Sequence, residues 1–412
     1  SFSCRYMVVL PKYLLLFVIH VLFVLHRRFV LSSNHIVHDF KLTHAQIGWL
    51  VSAHAFALTV SKLLLGAASD RLSPRRLLVH PLLALGATSL ALSFATDTNE
   101  LAVVVILCAA LQGALWPIVV GYVQRWFDRS SHGLWISILG SATTTAGLIL
   151  AVVSERHWRA VAFNMGWLSV VVAGLSVLVL EDGREEKEDK DKGKEKKSKE
   201  EGMVPLLQRI LACPEMWQLA ILYACAMEVR TISESWLPHV LESRPDAAEA
   251  LRFAFEVGGL VGGIASGVVV DAVAAWKGSL EVARRHVLIG ATSAMLVVAS
   301  WLVLTVADTD SPPSLALISL LSSLSGLLVY SCINVSCLSI ARMGEGLEGA
   351  GTLTSIVCFI AQFGSVIAGS PVALLLSLFG WPVLAPFLSL HLVVCGTVAF
   401  LNRPFLLKTK IQ

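Results

Sequence analysis

EDGREEKEDKDKGKEKKSKEE, residues Glu181 to Glu201, is the stretch on which the fold turns. It holds ten acidic and eight basic side chains and no large apolar one, so it reads as a solvated linker. The sequence on either side is the opposite. The 412 residues are 56 % hydrophobic and 15 % charged, with a mean hydropathy of +0.73. Soluble domains are about a quarter charged. Apolar runs long enough to span a bilayer recur six times before the linker, centred near residues 25, 57, 86, 111, 142 and 171. Six more follow, near 226, 261, 296, 327, 363 and 391. The expectation is an all-α membrane protein with twelve transmembrane helices. It divides into an N-terminal half (1–181), a charged cytoplasmic linker (182–204) and a C-terminal half (205–412), with the two halves pseudo-symmetric around a central cavity.

Working outward, charge sets the orientation. With both termini and the linker on one face, 23 of the 32 Lys and Arg lie there and 5 on the other, which makes that face cytoplasmic. The net charge of +3 gives no case for a nucleic-acid partner. The eight cysteines fall mostly in apolar runs and form no CxxC pair, which favours membrane-packed thiols over disulfides or a metal site. Arg5, Lys12 and the run Tyr13 to Leu25 resemble a signal peptide. HRRF follows in place of a small-residue cleavage site, so the run reads as a retained first span. No nucleophile elbow, P-loop or metal-spaced cluster is present, so neither an enzyme nor a cofactor or metal is expected.

The halves repeat. GAASDRLSPRR (Gly66–Arg76) ends the second span and GVVVDAV (Gly267–Val273) the eighth, with Asp70 and Asp271 201 residues apart. Gly259, Gly263 and Gly267 form a GxxxGxxxG ridge that lets helices approach closely. Nearly the same offset relates two buried charges. VIHVLFVLHRRFVL (Val18–Leu31) sets Arg27 and Arg28 within an apolar run, and AMEVRTISESWLP sets Arg230 in the seventh span, 203 residues after Arg27. A charge at mid-bilayer costs roughly 2.5–3.5 kcal/mol on insertion scales, so it faces a partner or a wet cavity. Adjacent helical residues diverge by about 100°, so Arg27 and Arg28 cannot share a face. His20, Arg27 and Asn34 recur every seven residues on one face of a first helix from about Tyr13 to Val37, and Tyr223, Arg230 and Glu234 share a face of the seventh. Two opposed guanidiniums suit a dianionic phosphate monoester, each bonding it through a bidentate fork. In the competing readings, Glu234 merely neutralises Arg230, or His20, His26, Glu228, Glu234 and Glu256 form a proton relay.

These residues bring out a family likeness. GWLVSAHAFALTVSKLLLGAASDRLSPRR (Gly48–Arg76), LQGALWP (Leu111–Pro117) and RWF (Arg125–Phe127) resemble the organophosphate:phosphate antiporters, a branch of the major facilitator superfamily. EVGGLVGGIASG (Glu256–Gly267), CPEMW, TDSP and GAGT are similar to its endoplasmic-reticulum glucose-6-phosphate and sugar-phosphate exchanger members. The resemblance implies the major facilitator fold. It also implies exchange of a sugar phosphate or glycerol phosphate for inorganic phosphate by alternating access, in an endoplasmic-reticulum or other organellar membrane. It places Arg27 and Arg230 at the family's phosphate-binding basic positions, Lys62 at its second-span lysine, and Trp236 beside Arg230. Asp70, Arg71, Arg75 and Asp271 fall on gating segments. The tyrosines that precede the family's first-span arginine are replaced by His20, Phe23 and Val24. A proton-coupled carrier of another organic anion and a non-transporting sugar-phosphate sensor stand as alternatives.

Overall fold

The computed structural model describes residues 2–69, 72–113, 115–127, 132–153, 157–180, 208, 210–241, 243–308, 313–343 and 350–401. The expected linker lies outside them. Every regular element among the described residues is helical. The first half holds α1 (Phe2–Ser32), α2 (Asn34–Asp39), α3 (His44–Ser69), α4 (Pro74–Ser93), α5 (Thr98–Ala110), α6 (Leu115–Trp126), α7 (His132–Gly140), α8 (Ala142–Val152) and α9 (Trp158–Val179). The second holds α10 (Pro214–Ser235), α11 (Leu237–Val240), α12 (Pro245–Lys277), α13 (Leu280–Ala307), α14 (Leu315–Met343), α15 (Ala350–Ile367), α16 (Ser370–Phe379) and α17 (Leu384–Leu401).

Local chemistry sets the helix ends. Ser73 accepts the Arg76 N–H ahead of Pro74, and Asp97 with Glu100 forms a capping box on α5. Gly278, with φ 70°, takes the left-handed turn that ends α12. Ten described segments are long and apolar enough to cross a membrane. Two expected spans fall short for different reasons. The one centred near 111 is broken into α5 and α6, and α10 carries Glu228, Arg230 and Glu234. The first helix also differs from expectation. It starts at Phe2 and stops at Ser32, where Ser33 turns extended and caps α2 through the Ile36 N–H. The helix that carries His20 and Arg27 therefore ends before Asn34.

Buried side chains gather in two apolar cores. One runs from Tyr13 to Leu180; the other from Ile210 to Val398, joined by Ile47 and Val51 of α3. Large apolar side chains such as Leu178, Trp276 and Phe94 lie exposed on the outside, as lipid contact demands. The glycine ridge works one residue away from where the spacing put it. A side chain on Gly258 or Gly262 of α12 would run into the backbone of Ser323 or Leu327 of α14, and one on Gly326 into Phe255. Gly263 and Gly267 face open space, and Gly259 meets Tyr330 and Thr144.

The cores meet along α3 and the broken α15–α16 rod. At one end His44, Trp236 and Trp381 pack ring to ring, with centroids 5.7–6.4 Å apart. Gly48 abuts Gly369 and Ala373. Beside them the Ser52 hydroxyl donates to the Val366 carbonyl (2.9 Å) and accepts the Ser370 N–H (2.7 Å). An unbroken helix would join that N–H to that carbonyl. Ser52 thus fills a gap in the other half's helix.

Candidate substrate-binding site

Arg28 leaves α1 toward the second half and is buried there. Its Nη2 bonds Glu256 Oε1 of α12 and lies 3.3 Å from Glu234 Oε1 of α10. Its Nη1 donates to the Thr143 carbonyl at 3.2 Å. Glu234 Oε1 also accepts from Arg230 Nε at 2.6 Å. The Tyr330 hydroxyl of α14 reaches Glu234 (3.3 Å) and Glu256 (3.5 Å), while the Arg230 guanidinium sits 5.3 Å from the Tyr330 ring centre. Gly147 of α8 abuts Arg28 and Glu256 and admits them by having no side chain. Removing such charges from water is costly, and only mutual pairing with extra hydrogen bonds offsets it. Two arginines, two glutamates and a tyrosine here close on one another across the halves.

Arg27 stays out of this cluster. It is partly buried and forms no ion pair among the described residues. Its guanidinium is within electrostatic reach of Arg230, Arg28 and Glu234, and of Lys62 and His54 on α3. Lys62 Nζ donates to Gln362 Oε1 of α15 at 2.9 Å, a second polar tie between the halves. The formal charges are Arg27, Arg28, Arg230 and Lys62 against Glu234 and Glu256. Four cations and two anions leave this group of side chains with two formal positive charges.

The residues singled out from sequence separate into groups. Arg27, Arg230, Lys62 and Glu234 converge, with Glu234 shared between Arg230 and Arg28. His20 packs against Trp116, with centroids 5.8 Å apart, and feels the charges of Arg27 and Arg230. Tyr223 is buried, its hydroxyl 3.9 Å from Cys337 Sγ. Trp236 is fully buried, donates to the Ala368 carbonyl at 2.6 Å and belongs to the aromatic cluster with His44 and Trp381. Arg75 donates to the Val177 carbonyl within its own half, and Asp271 is exposed on α12. Asp70 and Arg71 lie outside the described residues. The groups of the imagined relay are dispersed. His26 bonds Ser169 (2.7 Å), Glu228 pairs with His391 (3.0 Å), and Glu234 and Glu256 turn to Arg28. Sequence reasoning missed the partners of Arg28, Tyr330 and Gln362. Arg28 and Glu256 are 228 residues apart, and only their shared oddity as charges in apolar runs hinted at a pair.

A model of the Major Facilitator Superfamily matches residues 16–369. The chain belongs to the Major Facilitator Superfamily. It is therefore an integral multi-pass membrane protein of a transporter superfamily and not an enzyme. Among its relatives is the membrane sensor protein UhpC of Salmonella typhimurium, 23 % identical over 89 % of this chain and 84 % of that protein. A probable hexose phosphate transport protein of Chlamydia pneumoniae is 22 % identical over 89 % and 84 %. The glycerol-3-phosphate transporter of Bacillus subtilis is 25 % identical over 82 % and 79 %. The fold matches an inward-facing bacterial homologue of the human lysosomal transporter Spinster, with a TM-score of 0.65 at 14 % identity, covering 95 % of this chain and 96 % of that one.

Proposed function

We propose that this superfamily member exchanges a phosphorylated small molecule, a sugar phosphate or glycerol phosphate, for inorganic phosphate. The observation that carries the reading is Arg27, a cation inside the protein that forms no ion pair among the described residues, in a group of six charged side chains whose formal sum is +2. A phosphate monoester carries about −1.5 to −2 near neutral pH. It would neutralise the site, and guanidiniums bond phosphate in bidentate fashion. The names of the relatives at 22–25 % identity support the same class of substrate.

Exchange follows from electrostatics. An empty site leaves like charges facing one another in a low dielectric, which disfavours an occluded intermediate. Bound anion removes the repulsion, so the halves rock only when loaded. Arg28 with Glu234 and Glu256 ties α1 to α10 and α12 and serves as the tie that breaks and reforms. The two halves, 1–181 and 205–412, move about the site with segment 182–204 as linker. Both termini are assigned to the cytoplasm, in an organellar membrane such as the endoplasmic reticulum, and Asp70, Arg71, Arg75 and Asp271 to the cytoplasmic gate.

The test is uptake of labelled phosphate into proteoliposomes. Uptake is expected only with phosphate or a phosphate ester inside, and equal uptake into empty vesicles would contradict obligatory exchange. One observation favours a second reading: a relative bears the name of a sensor. A sensor would bind phosphate ester yet show no counterflow.

A further inference from the structure

Three buried polar side chains of the first half have no work in the phosphate reading. His20 Nδ1, His54 Nε2 and Gln112 Nε2 are buried atoms with no hydrogen-bond partner. Their residues are 5 %, 7 % and 5 % exposed. Buried polar atoms are almost always paired, so three such atoms in one region point to a partner that comes and goes.

His20 and His54 both feel the charge of Arg27, and Gln112 is connected to them through its neighbours Gly113 and Trp116. His20 lies two turns before Arg27 on the same face of α1, roughly 10 Å along the axis. His54 is on α3, within electrostatic reach of both Arg27 and Lys62. Gln112 sits at the break between α5 and α6. There Ser61 of α3 holds the chain, donating to the Ala110 carbonyl and accepting the Gly113 N–H at 3.1 Å. One turn on, Trp116 lays its ring beside His20. Aromatic walls and polar atoms that both give and take hydrogen bonds suit a ring that carries hydroxyls. An imidazole nitrogen accepts or donates and an amide nitrogen donates twice, while a hydroxyl does both.

We infer that His20, His54 and Gln112 form a hydroxyl-binding subsite on the first half, which reads the polyol part of a phosphate ester whose phosphate lies on Arg27, Arg230 and Lys62. The inference rests on the phosphate-ester reading and sharpens it. The preferred substrate is a sugar phosphate, and a monoester without hydroxyls is a poor one. Specificity of this kind is strong because a ligand lacking the hydroxyls leaves the site's own polar atoms unpaired.

The test is competition against labelled phosphate exchange in proteoliposomes of the full chain. Glucose 6-phosphate and ethyl phosphate are the competitors, and their ratio of inhibition constants is the readout. Wild type is expected to prefer glucose 6-phosphate by tenfold or more. His54→Leu and Gln112→Met should each reduce that preference by about fivefold, the worth of one hydrogen bond. His54→Gln, which keeps a polar end, should restore part of it. A ratio unchanged in both variants, or an equal loss for both competitors, overturns the subsite. A variant that does not elute as a single species from gel filtration is replaced by Gln112→Leu or His54→Asn and judged by the same ratio. Failure of wild type to exchange phosphate at all is seen first, and it removes the parent reading and the subsite together.

Discussion

Arg27 and Arg28 are neighbours with opposite fates. A helix sends adjacent side chains about 100° apart, so one can serve a ligand while the other is consumed by structure. Arg27→Lys keeps the charge and loses the fork, and should lower phosphate exchange by tenfold or more in a counterflow assay. Unchanged transport would remove Arg27 from the site. Arg28→Gln strands Glu256, while Glu234 keeps Arg230, and breaking a buried pair costs about 3–5 kcal/mol. The melting temperature in detergent should fall clearly. Arg28→Leu combined with Glu256→Leu should recover most of it, because apolar pairs replace buried ion pairs at little cost. No recovery would mean that the bond to Thr143, rather than charge, holds Arg28. Arg27 and Arg230 stand out in the sequence as charges in apolar runs, and Lys62 is reached only through the family resemblance. The sequence hid the partners of Arg28. Glu256 is part of a glycine-rich run that reads as packing, and Tyr330 is one aromatic among many apolar residues. Their roles exist only where α1, α10, α12 and α14 cross.

At the scale of elements, apolar periodicity made most spans legible because the bilayer demands length and hydrophobicity together. It failed at breaks. The α5–α6 and α15–α16 interruptions are held open by side chains from α3, Ser61 and Ser52, which no local rule connects to them. The ridge of α12 failed by a single residue, since a GxxxG spacing gives a period and not a phase. The crossing with α14 now decides the outcome. Gly262→Ala would set a methyl against the Leu327 carbonyl and should lower the yield of folded protein and its melting temperature. Gly263→Ala meets open space and should be neutral or slightly stabilising, since Gly costs about 0.8–1.0 kcal/mol relative to Ala within a helix. Equal loss in both, measured by fluorescence-detected gel filtration and melting, would return the close contact to Gly263.

For the whole molecule, two apolar cores meet across a polar seam: Ser52 on the α15–α16 break, Lys62 on Gln362, Arg28 on Glu256. Such a seam is suited to parting, because water can take over each bond as the halves separate. Cysteines at Ser52 and Ser370, in a background with the native cysteines replaced, should cross-link and stop exchange. Reducing agent should restore it. Full exchange in the cross-linked form would place the moving boundary elsewhere. The charged part of the seam also has a thermal consequence. Hydration of ions becomes less favourable as temperature rises, so ions released from a buried cluster gain less from water in the heat. Warming therefore favours the joined state of Arg28, Glu234 and Glu256 over the parted one. On the proposed exchange cycle, the joined fraction grows with temperature, and turnover should rise less steeply with heat than the motion alone would dictate.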